Sequence, residues 1–406
     1  MIRQYNMGVQ LGLRANWKQF LILVIINAFV GGMVGLERTI LPKLAEQEFA
    51  ILAKSAMLSF IVVFGFTKAV SNYFAGRLAN KFGRKNLLIY GWIVALPVPF
   101  LLIFSQSWNW IILANVLLGI NQGLAWSSTV IMKIDLVGEK NRGLAMGINE
   151  FAGYLAVALV AMLTGYLANA YGVRPYPFII GIILSVLGLL ASIFLVKDTS
   201  HFVEYEKAIS RNKPLKSVFL DTSFRHPNLS SVTQAGLVNN LNDGMIWGLF
   251  PVLLAAKGYN LMQIGIMVAI YPAVWGLGQL FTGKLADLYD KKTLLFWGML
   301  FQGIAIIAII YSSIQIHFIT VSIILGLATA IVYPTFLAAV AAETTPEQRA
   351  ESLGIFRFWR DAGYAFGAIL SGFLADHFGV NYAVGTIGFL TLFSALIIQL
   401  RMKNKQ

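Results

Sequence analysis

Long apolar stretches recur along the chain and are separated by short polar segments. Each is roughly 20 residues or longer, which is the length of helix that crosses the hydrocarbon core of a bilayer, and we count about twelve of them. The predicted spans are residues 17–42, 54–75, 86–104, 108–134, 143–168, 176–196, 230–256, 261–282, 293–312, 316–342, 350–375 and 380–401. The pattern predicts an all-α integral membrane protein.

Composition agrees with this interpretation. The 406 residues are 58% hydrophobic and 12% charged, whereas a soluble domain is about 25% charged. The first span is flanked by Arg14 and Lys18 but lacks the small-residue cleavage site of a signal peptide, so we interpret it as a retained helix. With no cysteine in the chain, disulfides, thiolate metal sites and cysteine nucleophiles are excluded.

The positive charge reports topology rather than a nucleic-acid partner. The formal net charge is +13. If the N-terminus and every even-numbered connection are cytoplasmic, about 23 of the 31 Lys and Arg lie inside, about 4 outside and about 4 within helices, as the positive-inside rule expects. We therefore expect a multi-pass protein of the inner (plasma) membrane with both termini in the cytoplasm.

One long polar connection, which carries the sequences RNKPLK and RHPN, divides the twelve spans into six plus six. The predicted domains are an N-terminal six-helix bundle at 1–196, a cytoplasmic linker at 197–229 and a C-terminal six-helix bundle at 230–406.

The two halves match at one fixed offset of 207 residues. The equivalent pairs are Gly76 and Gly283, Gly119 and Gly326, Arg142 and Arg349, Gly147 and Gly354, Gly165 and Gly372, and Gly172 and Gly379. A pseudo-symmetric pair of bundles that meet near the bilayer midplane is typical of secondary transporters.

The segment GRLANKFGRK, residues 76–85, resembles the signature loop between helices 2 and 3 of the major facilitator superfamily. A degenerate copy begins at Gly283, where that family places one. The resemblance implies alternating access between two six-helix bundles, with the cations of the loop closing the cytoplasmic side against acidic helix ends.

This resemblance implies a cytoplasmic gate in which Arg84 pairs with Asp135 and Lys291 with Glu343. Position 80 is Asn where the family usually has Asp, so it brings no charge to a helix dipole. An alternative is that these charges only set topology. The gate candidates are Gly76, Asn80, Gly83, Arg84, Lys85, Asp135, Gly283, Asp287, Lys291, Glu343, Glu150 and Arg357.

Helix 4 departs from the pattern of proton antiporters in this family. The segment NVLLGINQG keeps the glycine spacing of that pattern, but Asn115 stands where the pattern has arginine. This difference puts proton-coupled drug antiport in doubt.

Charged residues inside spans are costly and usually face a partner or a water-filled cavity. Glu37 and Asp243 are nearly equivalent in the repeat, so we expect them to face a central cavity, where repulsion or loss of water would favour proton uptake by one of them. Alternatively, they lie at the outer mouth, or Arg38 neutralises them. The pathway candidates are Glu37, Arg38, Lys68, Trp126, Asn239, Asp243, Arg360 and Asp361.

Two further charge arrangements are each open to two interpretations. Glu150 and Arg357 are strict equivalents that can form a gating salt bridge, but Arg357 can instead pair with Asp361 on its own helix. Lys68 and Arg360 can bind an anion, or they can pair with Glu150 or Asp361.

No phosphate-binding loop and no hydrolase or metalloprotease motif is present, so we expect neither an ATP-driven pump nor an enzyme. We expect a monomeric secondary transporter of small organic solutes, without metal or cofactor, that is coupled to protons or another ion. Efflux of amphipathic compounds is favoured because Glu37 precedes Pro42 much as an acidic residue does in multidrug members of the family. The alternatives are uptake of an organic anion, favoured by Lys68, Arg357 and Arg360, and a membrane sensor that does not transport.

Overall fold

The computed structural model describes residues 10–137, 142–202 and 215–403, and every regular element in those ranges is helical. The long helices, numbered in chain order, are α1 Trp17–Arg38, α2 Ser59–Phe82, α3 Arg84–Ile103, α4 Trp108–Val137, α5 Arg142–Tyr171, α6 Tyr176–Phe194, α7 Pro227–Ala256, α8 Leu261–Leu288, α9 Lys291–Ile310, α10 Gln315–Ala342, α11 Pro346–Phe378 and α12 Val380–Arg401. They form two bundles, α1–α6 and α7–α12.

Two faces of the molecule are named here. The linker face carries the turn after Phe82, the end of α6 and residues 196–202. The distal face carries two short helices that follow α1, Leu41–Phe49 and Lys54–Met57, together with the ends of α5 and α11. Because α1 reaches the distal face only after passing Glu37 and Arg38, these two buried charges lie towards the distal end of α1.

In the described residues, nine helices are long and apolar enough to cross a membrane on composition alone. The long helices outside that group are α2, α7 and α11. These three carry Lys68 and Asn72, the buried segment 239–243, and Arg357, Arg360 and Asp361. Ser59–Ala75 of α2 is apolar but shorter than those nine helices, and the polar side chains of α7 and α11 face the protein interior rather than lipid.

The two bundles meet along two seams, in which α5 packs on α8 and α11 packs on α2. Glycines allow the close approach. A Cβ at Gly147 would lie 2.5 Å from the carbonyl oxygen of Gln279 near the linker face, and one at Gly165 would lie 3.1 Å from Cα of Gly265 near the distal face. The α5–α8 seam is therefore closed at both ends.

The turn between α2 and α3 is much shorter than predicted. Residues up to Phe82 continue α2, and the chain reverses at Gly83, whose φ of 85° favours glycine. The expected ten-residue loop is thus mostly helix. Gly76, Asn80 and Asp287 lie in α2 and α8, but the side chains at these positions fall outside the described part of the structure.

The repeat is shifted by two residues between α1 and α7. A Cβ at Gly35 would lie 2.5 Å from the carbonyl oxygen of Val157, and one at Gly244 would lie 2.5 Å from that of Tyr364. Val157 and Tyr364 are 207 residues apart, but Gly35 and Gly244 are 209 apart. Asp243 therefore corresponds to Val34, and its predicted near-equivalence to Glu37 is wrong by about one helical turn.

Candidate functional site

Asp361 of α11 lies at the centre of a buried polar cluster between the bundles. Its Oδ1 is 3.5 Å from Nζ of Lys68 on α2 and 3.2 Å from Nη1 of Arg360, and it accepts a hydrogen bond of 3.0 Å from Asn240 Nδ2 on α7. Its Oδ2 accepts a hydrogen bond of 2.5 Å from Asn72 Nδ2 on α2. One carboxylate thus joins three helices across the seam between the halves.

Aromatic rings surround this cluster. The rings of Tyr154 on α5 and Trp275 on α8 stack with centroids 3.5 Å apart, and Arg360 lies 4.3 Å from the ring centre of Tyr333 on α10. The ammonium of Lys68 lies 5.7 Å from the ring centre of Trp126 on α4. Cations held over aromatic faces are stabilised by the ring quadrupole, and the same faces can bind a planar substrate.

The cavity bounded by this cluster is small. It encloses about 10 Å³, which is room for about one water molecule. We name this cavity the central site, and its lining residues are Lys68, Asn72, Trp126, Ser127, Tyr154, Tyr333, Arg357, Arg360 and Asp361. An organic molecule fits there only after the bundles move apart, which matches the closed seam.

Glu37 and Asp243, the other predicted pathway carboxylates, are both buried. Glu37 Oε1 accepts a hydrogen bond of 3.3 Å from Asn115 Nδ2, the residue at the position of the antiporter arginine. Asp243 Oδ1 accepts one of 2.6 Å from the Tyr271 hydroxyl. Arg38 stacks 3.8 Å from the ring centre of Trp247 on α7. Glu37 and Asp243 are thus each held by an uncharged partner of their own.

Glu150 and Arg357 each contact another residue in this conformation. Glu150 Oε1 accepts hydrogen bonds from Trp126 at 3.0 Å and from Asn149 at 2.6 Å, while Arg357 donates to the Ser127 hydroxyl at 2.9 Å. Arg357 is therefore engaged by α4 of the opposite half. The Glu150–Arg357 salt bridge, expected when the cytoplasmic side is shut, is not among the contacts of the described residues in this state and stays a prediction.

At the linker face, Arg84 and Asp135 form the predicted pair, with 3.6 Å between Nε and Oδ2. Residues 198–200 complete the contact, because the Thr199 hydroxyl donates to Asp135 at 2.8 Å and the backbone N–H of Lys85 donates to Asp198 at 3.0 Å. Partial burial raises the pKa of Asp198, but the hydrogen bonds from Lys85 and Ser200 and the charge of Arg84 lower it overall below its ordinary value. An ionised Asp198 therefore caps the start of α3.

The mirror pair Lys291–Glu343 is replaced by other contacts. Glu343 accepts a hydrogen bond of 2.9 Å from Asn228 and lies 3.7 Å from Nε2 of His226. Both partners precede or begin α7, so Glu343 ties the start of α7 to the end of α10. Lys291 instead begins α9, next to the N-cap residue Asp290.

Asp376 is a contact residue that sequence reasoning missed. Near the end of α11, its carboxylate accepts hydrogen bonds from the backbone N–H groups of Lys54 at 2.6 Å and Ser55 at 3.0 Å, and from the Ser55 hydroxyl at 2.5 Å. The available signal was the segment GFLAD at 372–376, which matches the pattern of GRLAN at 76–80 and GKLAD at 283–287. This contact joins the halves at the distal face.

Two other features were also missed or misplaced. Lys133 lies near the end of a predicted span, but α4 continues to Val137, so this lysine is fully buried and donates to the carbonyl oxygen of Leu23 at 3.1 Å. Asn239, predicted to line the pathway, instead accepts a hydrogen bond of 3.0 Å from Gln302 of α9 inside the C-terminal bundle.

A twofold bundle of long apolar helices that encloses a polar site between its halves is the architecture of a multi-pass membrane transporter. A family model described as Major Facilitator Superfamily matches residues 16–231 and 232–405, and the chain belongs to this family. It is 23% identical over 393 residues to the multidrug resistance protein MdtG of Escherichia coli O1:K1, with 94% of each chain covered. It also superposes on the crystal structure of the human organic anion transporter MFSD10 with a TM-score of 0.75 and 14% identity, covering 95% of this chain and 99% of that one.

Proposed function

We propose that this chain exports amphipathic organic compounds across the inner membrane in exchange for protons. The observation that carries the proposal is the central site, in which charged groups lie against stacked aromatic rings at the seam between the bundles. Such a site offers apolar area together with a few polar contacts, which suits compounds of varied shape. The similarity to MdtG, a multidrug resistance protein, supports the same substrate class.

A second candidate is the transport of organic anions. Lys68 and Arg360 share the single carboxylate of Asp361, so a negatively charged group on a substrate can replace that carboxylate as their partner. The name of MFSD10, an organic anion transporter, is in line with this candidate. The two candidates differ in the charge that the substrate carries next to Lys68.

In the proposed cycle the two faces open in turn. Opening of the α5–α8 seam at the linker face would admit a substrate to the central site, and closure there with opening at the distal face would release it. The linker face is cytoplasmic in this proposal, which places both termini inside and makes the contact of Arg84, Asp135 and Asp198 the cytoplasmic gate. The functional unit is a monomer, since one chain contains both bundles.

Orientation has a direct test. Reporter fusions after Arg401 and within residues 203–214 should give a cytoplasmic signal, and fusions at Gly258 should give a periplasmic one. A periplasmic signal from the 203–214 fusion would reverse the assignment of the two faces.

Substrate class is tested in proteoliposomes with an imposed pH gradient. Uptake of a fluorescent aromatic cation such as ethidium is compared with that of an aromatic sulfonate, using Lys68→Met and, as a matched control, Lys257→Met in the exposed distal loop. Gradient-driven movement of the cation supports amphipathic efflux. Movement of the sulfonate alone, lost in Lys68→Met, favours the anion transporter, and movement of neither probe by the unmutated protein contradicts both.

A further inference from the structure

A chain of buried amides runs through the C-terminal bundle to Asp361. Asn242 Nδ2 donates to Gln302 Oε1 at 3.0 Å, and Gln302 Nε2 donates to Asn239 Oδ1 at 3.0 Å. Asn239 Nδ2 donates to Asn240 Oδ1 at 3.3 Å, and Asn240 Nδ2 donates to Asp361 Oδ1 at 3.0 Å. We name Asn242, Gln302, Asn239 and Asn240 the amide chain, and all four are buried.

Every hydrogen bond of the amide chain points the same way, towards the carboxylate. Hydrogen bonds aligned in series polarise one another, and the last one is charge-assisted because its acceptor is Asp361. At the far end, the hydroxyl of Thr391 on α12 lies 2.7 Å from Asn242 Oδ1. The arrangement therefore fixes Asp361 from within the C-terminal bundle, through helices α9 and α12 that do not line the central site.

The N-terminal bundle shows that the fold does not require these amides. With the offset of 209 residues for α7 and 207 for α9 and α11, the equivalent positions are Val30, Gly31, Met33, Ala95 and Tyr154. The counterpart of Asp361 is Tyr154, and the counterparts of the amides carry no polar side chain. Buried polar groups cost free energy unless they are paired. Because the amides occur only in the half that has a carboxylate at this position, we relate the amide chain to Asp361 and not to the packing of the bundle.

We propose that Gln302 is a positioning residue for Asp361. Through Asn239 and Asn240 it holds the carboxylate in the orientation that bridges Lys68 and Arg360, and so sets the affinity of the central site for its substrate. This inference rests on the proposed role of the central site in substrate binding. Gln302 itself lies on α9 and does not contact the site.

The test uses Gln302→Met, which keeps the side-chain length and removes both hydrogen bonds. Gln234→Met is the matched control, because Gln234 exchanges hydrogen bonds with Ser394 of α12 and, among the described residues, has no hydrogen bond that leads to Asp361. For the fluorescent probe that the unmutated protein moves, Gln302→Met should raise the apparent KM about tenfold, within the range for residues coupled in one network. Gln234→Met should change it less than about twofold.

Asp361→Asn completes a double-mutant cycle. If Gln302 acts through Asp361, Gln302→Met adds no further loss of probe affinity in an Asp361→Asn chain, and the shifts in thermal unfolding midpoint are likewise non-additive. Full additivity in both readouts overturns the positioning role and leaves only packing. Asn239→Val introduces the residue found at the equivalent position, Val30, and interrupts the amide chain at its next member. It replaces Gln302→Met in the test if that variant does not fold. The unfolding cycle needs no substrate, so failure of the positioning role is distinct from failure of the proposed function.

Discussion

Asp361 neutralises two buried cations at once, since Lys68 and Arg360 both lie within 3.5 Å of its Oδ1. A buried ion pair adds little net stability relative to apolar residues, but removal of one partner leaves an uncompensated charge. The three groups therefore behave as a unit, and their energetic coupling is measurable without a substrate.

Asp361→Asn is expected to destabilise the protein by about 3 kcal/mol, because two cations then share no anion. Lys68→Met in the same chain should recover part of that loss, since it removes one of the unpaired charges. Thermal unfolding in detergent measures both changes, with Lys257→Met as a surface control. A shift in midpoint from Lys68→Met that is the same in the unmutated chain and in Asp361→Asn would show that the two residues do not interact.

For single residues, the sequence identifies the charged groups that are buried at a cost in free energy, but it does not identify all of their partners. Charges within apolar spans are visible directly, and the pair of Arg84 with Asp135 and the alternative pair of Lys68 with Asp361 are both present. The amides of Asn239 and Gln302 belong to different helices, and no one-dimensional pattern brings them together. The burial of Lys133 was not predicted, because the end of a span cannot be placed from the sequence to within one helical turn.

Helices are predicted well where hydropathy alone determines them. The predicted spans of α9, α10 and α12 end within a few residues of the observed helices. In α2 and α8 the structure continues several residues beyond the apolar stretch, because the Gly-x-Leu-Ala segments are helical despite their charge. The end of an apolar stretch indicates where the chain leaves the lipid, but the helix continues as long as its backbone hydrogen bonds continue.

Four helices finish in related sequences, GRLAN in α2, GYLAN in α5, GKLAD in α8 and GFLAD in α11. The first and third lie at the linker face, and the second and fourth lie at the distal face. In the fourth copy Asp376 binds the start of Lys54–Met57 across the seam, beside Gly372, whose Cβ would lie 2.8 Å from Cα of Ser55. Related sequences therefore stand at both faces of the molecule.

Asp376→Ala is expected to loosen the distal face. The loss of hydrogen bonds to an exposed carboxylate, about 1 kcal/mol, should increase opening about fivefold. The natural chain lacks cysteine, so Ser127→Cys in the central site serves as a single reporter for a membrane-impermeant maleimide added at the distal face. Ser55→Ala should act in the same direction, and Lys257→Met, exposed at the same face, is the control. If Asp376→Ala is labelled at the same rate as the chain with Asp376 intact, the contact of Asp376 with Lys54 and Ser55 does not help to close the distal face.

The pH dependence of this contact follows from its hydrogen bonds. Partial burial raises the pKa of Asp376, but the hydrogen bonds from Ser55 and Lys54 lower it overall below its ordinary value. The stabilisation is therefore complete above the ordinary carboxylate pKa of about 4 and declines as the pH falls below it. Maleimide reacts with the thiolate and is slower at low pH in every variant, so the prediction concerns a ratio: distal labelling of Ser127→Cys with Asp376→Ala relative to that without it should be the same at pH 7 and pH 5.

For the whole molecule, the close packing at both ends of the α5–α8 seam and the small central site describe a state in which the described residues leave no room for an organic substrate. Gly147 near the linker face and Gly165 near the distal face permit the close approach of α5 to α8 at its two ends. A larger side chain at either position must push the helices apart at that end only. The two glycines therefore allow each face to be opened separately.

Gly165→Leu should raise maleimide labelling of Ser127→Cys from the distal face, and Gly147→Leu should raise it from the linker face. Each variant is the control for the other, because both add the same side chain to the same seam. Vesicles of opposite orientation give the two labelling rates. An increase from both faces in one variant would indicate general loosening of the bundles rather than alternating access.

Coupling to protons is expected to depend on Glu37 and Asp243 rather than on Asp361. Among the described residues no Lys or Arg nitrogen lies within 4 Å of either carboxylate, and their partners are the neutral side chains of Asn115 and Tyr271. Asp361, by contrast, lies within 3.5 Å of two cations, Lys68 and Arg360. A group that gains and loses a proton during the cycle must be able to adopt both its protonated and its ionised form. A carboxylate whose hydrogen-bond donor is a neutral side chain meets that condition.

Glu37→Gln and Asp243→Asn should therefore abolish transport driven by a pH gradient and leave exchange at equal pH partly intact, because the amides keep the shape but cannot release a proton. Glu46→Gln, exposed on the distal helix Leu41–Phe49, should change neither rate. Proteoliposomes with and without the gradient measure both modes. If the unmutated protein moves its substrate equally well without a pH gradient, the two carboxylates have another role and the coupling ion is not the proton. If Asp361→Asn alone removes the gradient dependence, the titrating group lies in the central site itself.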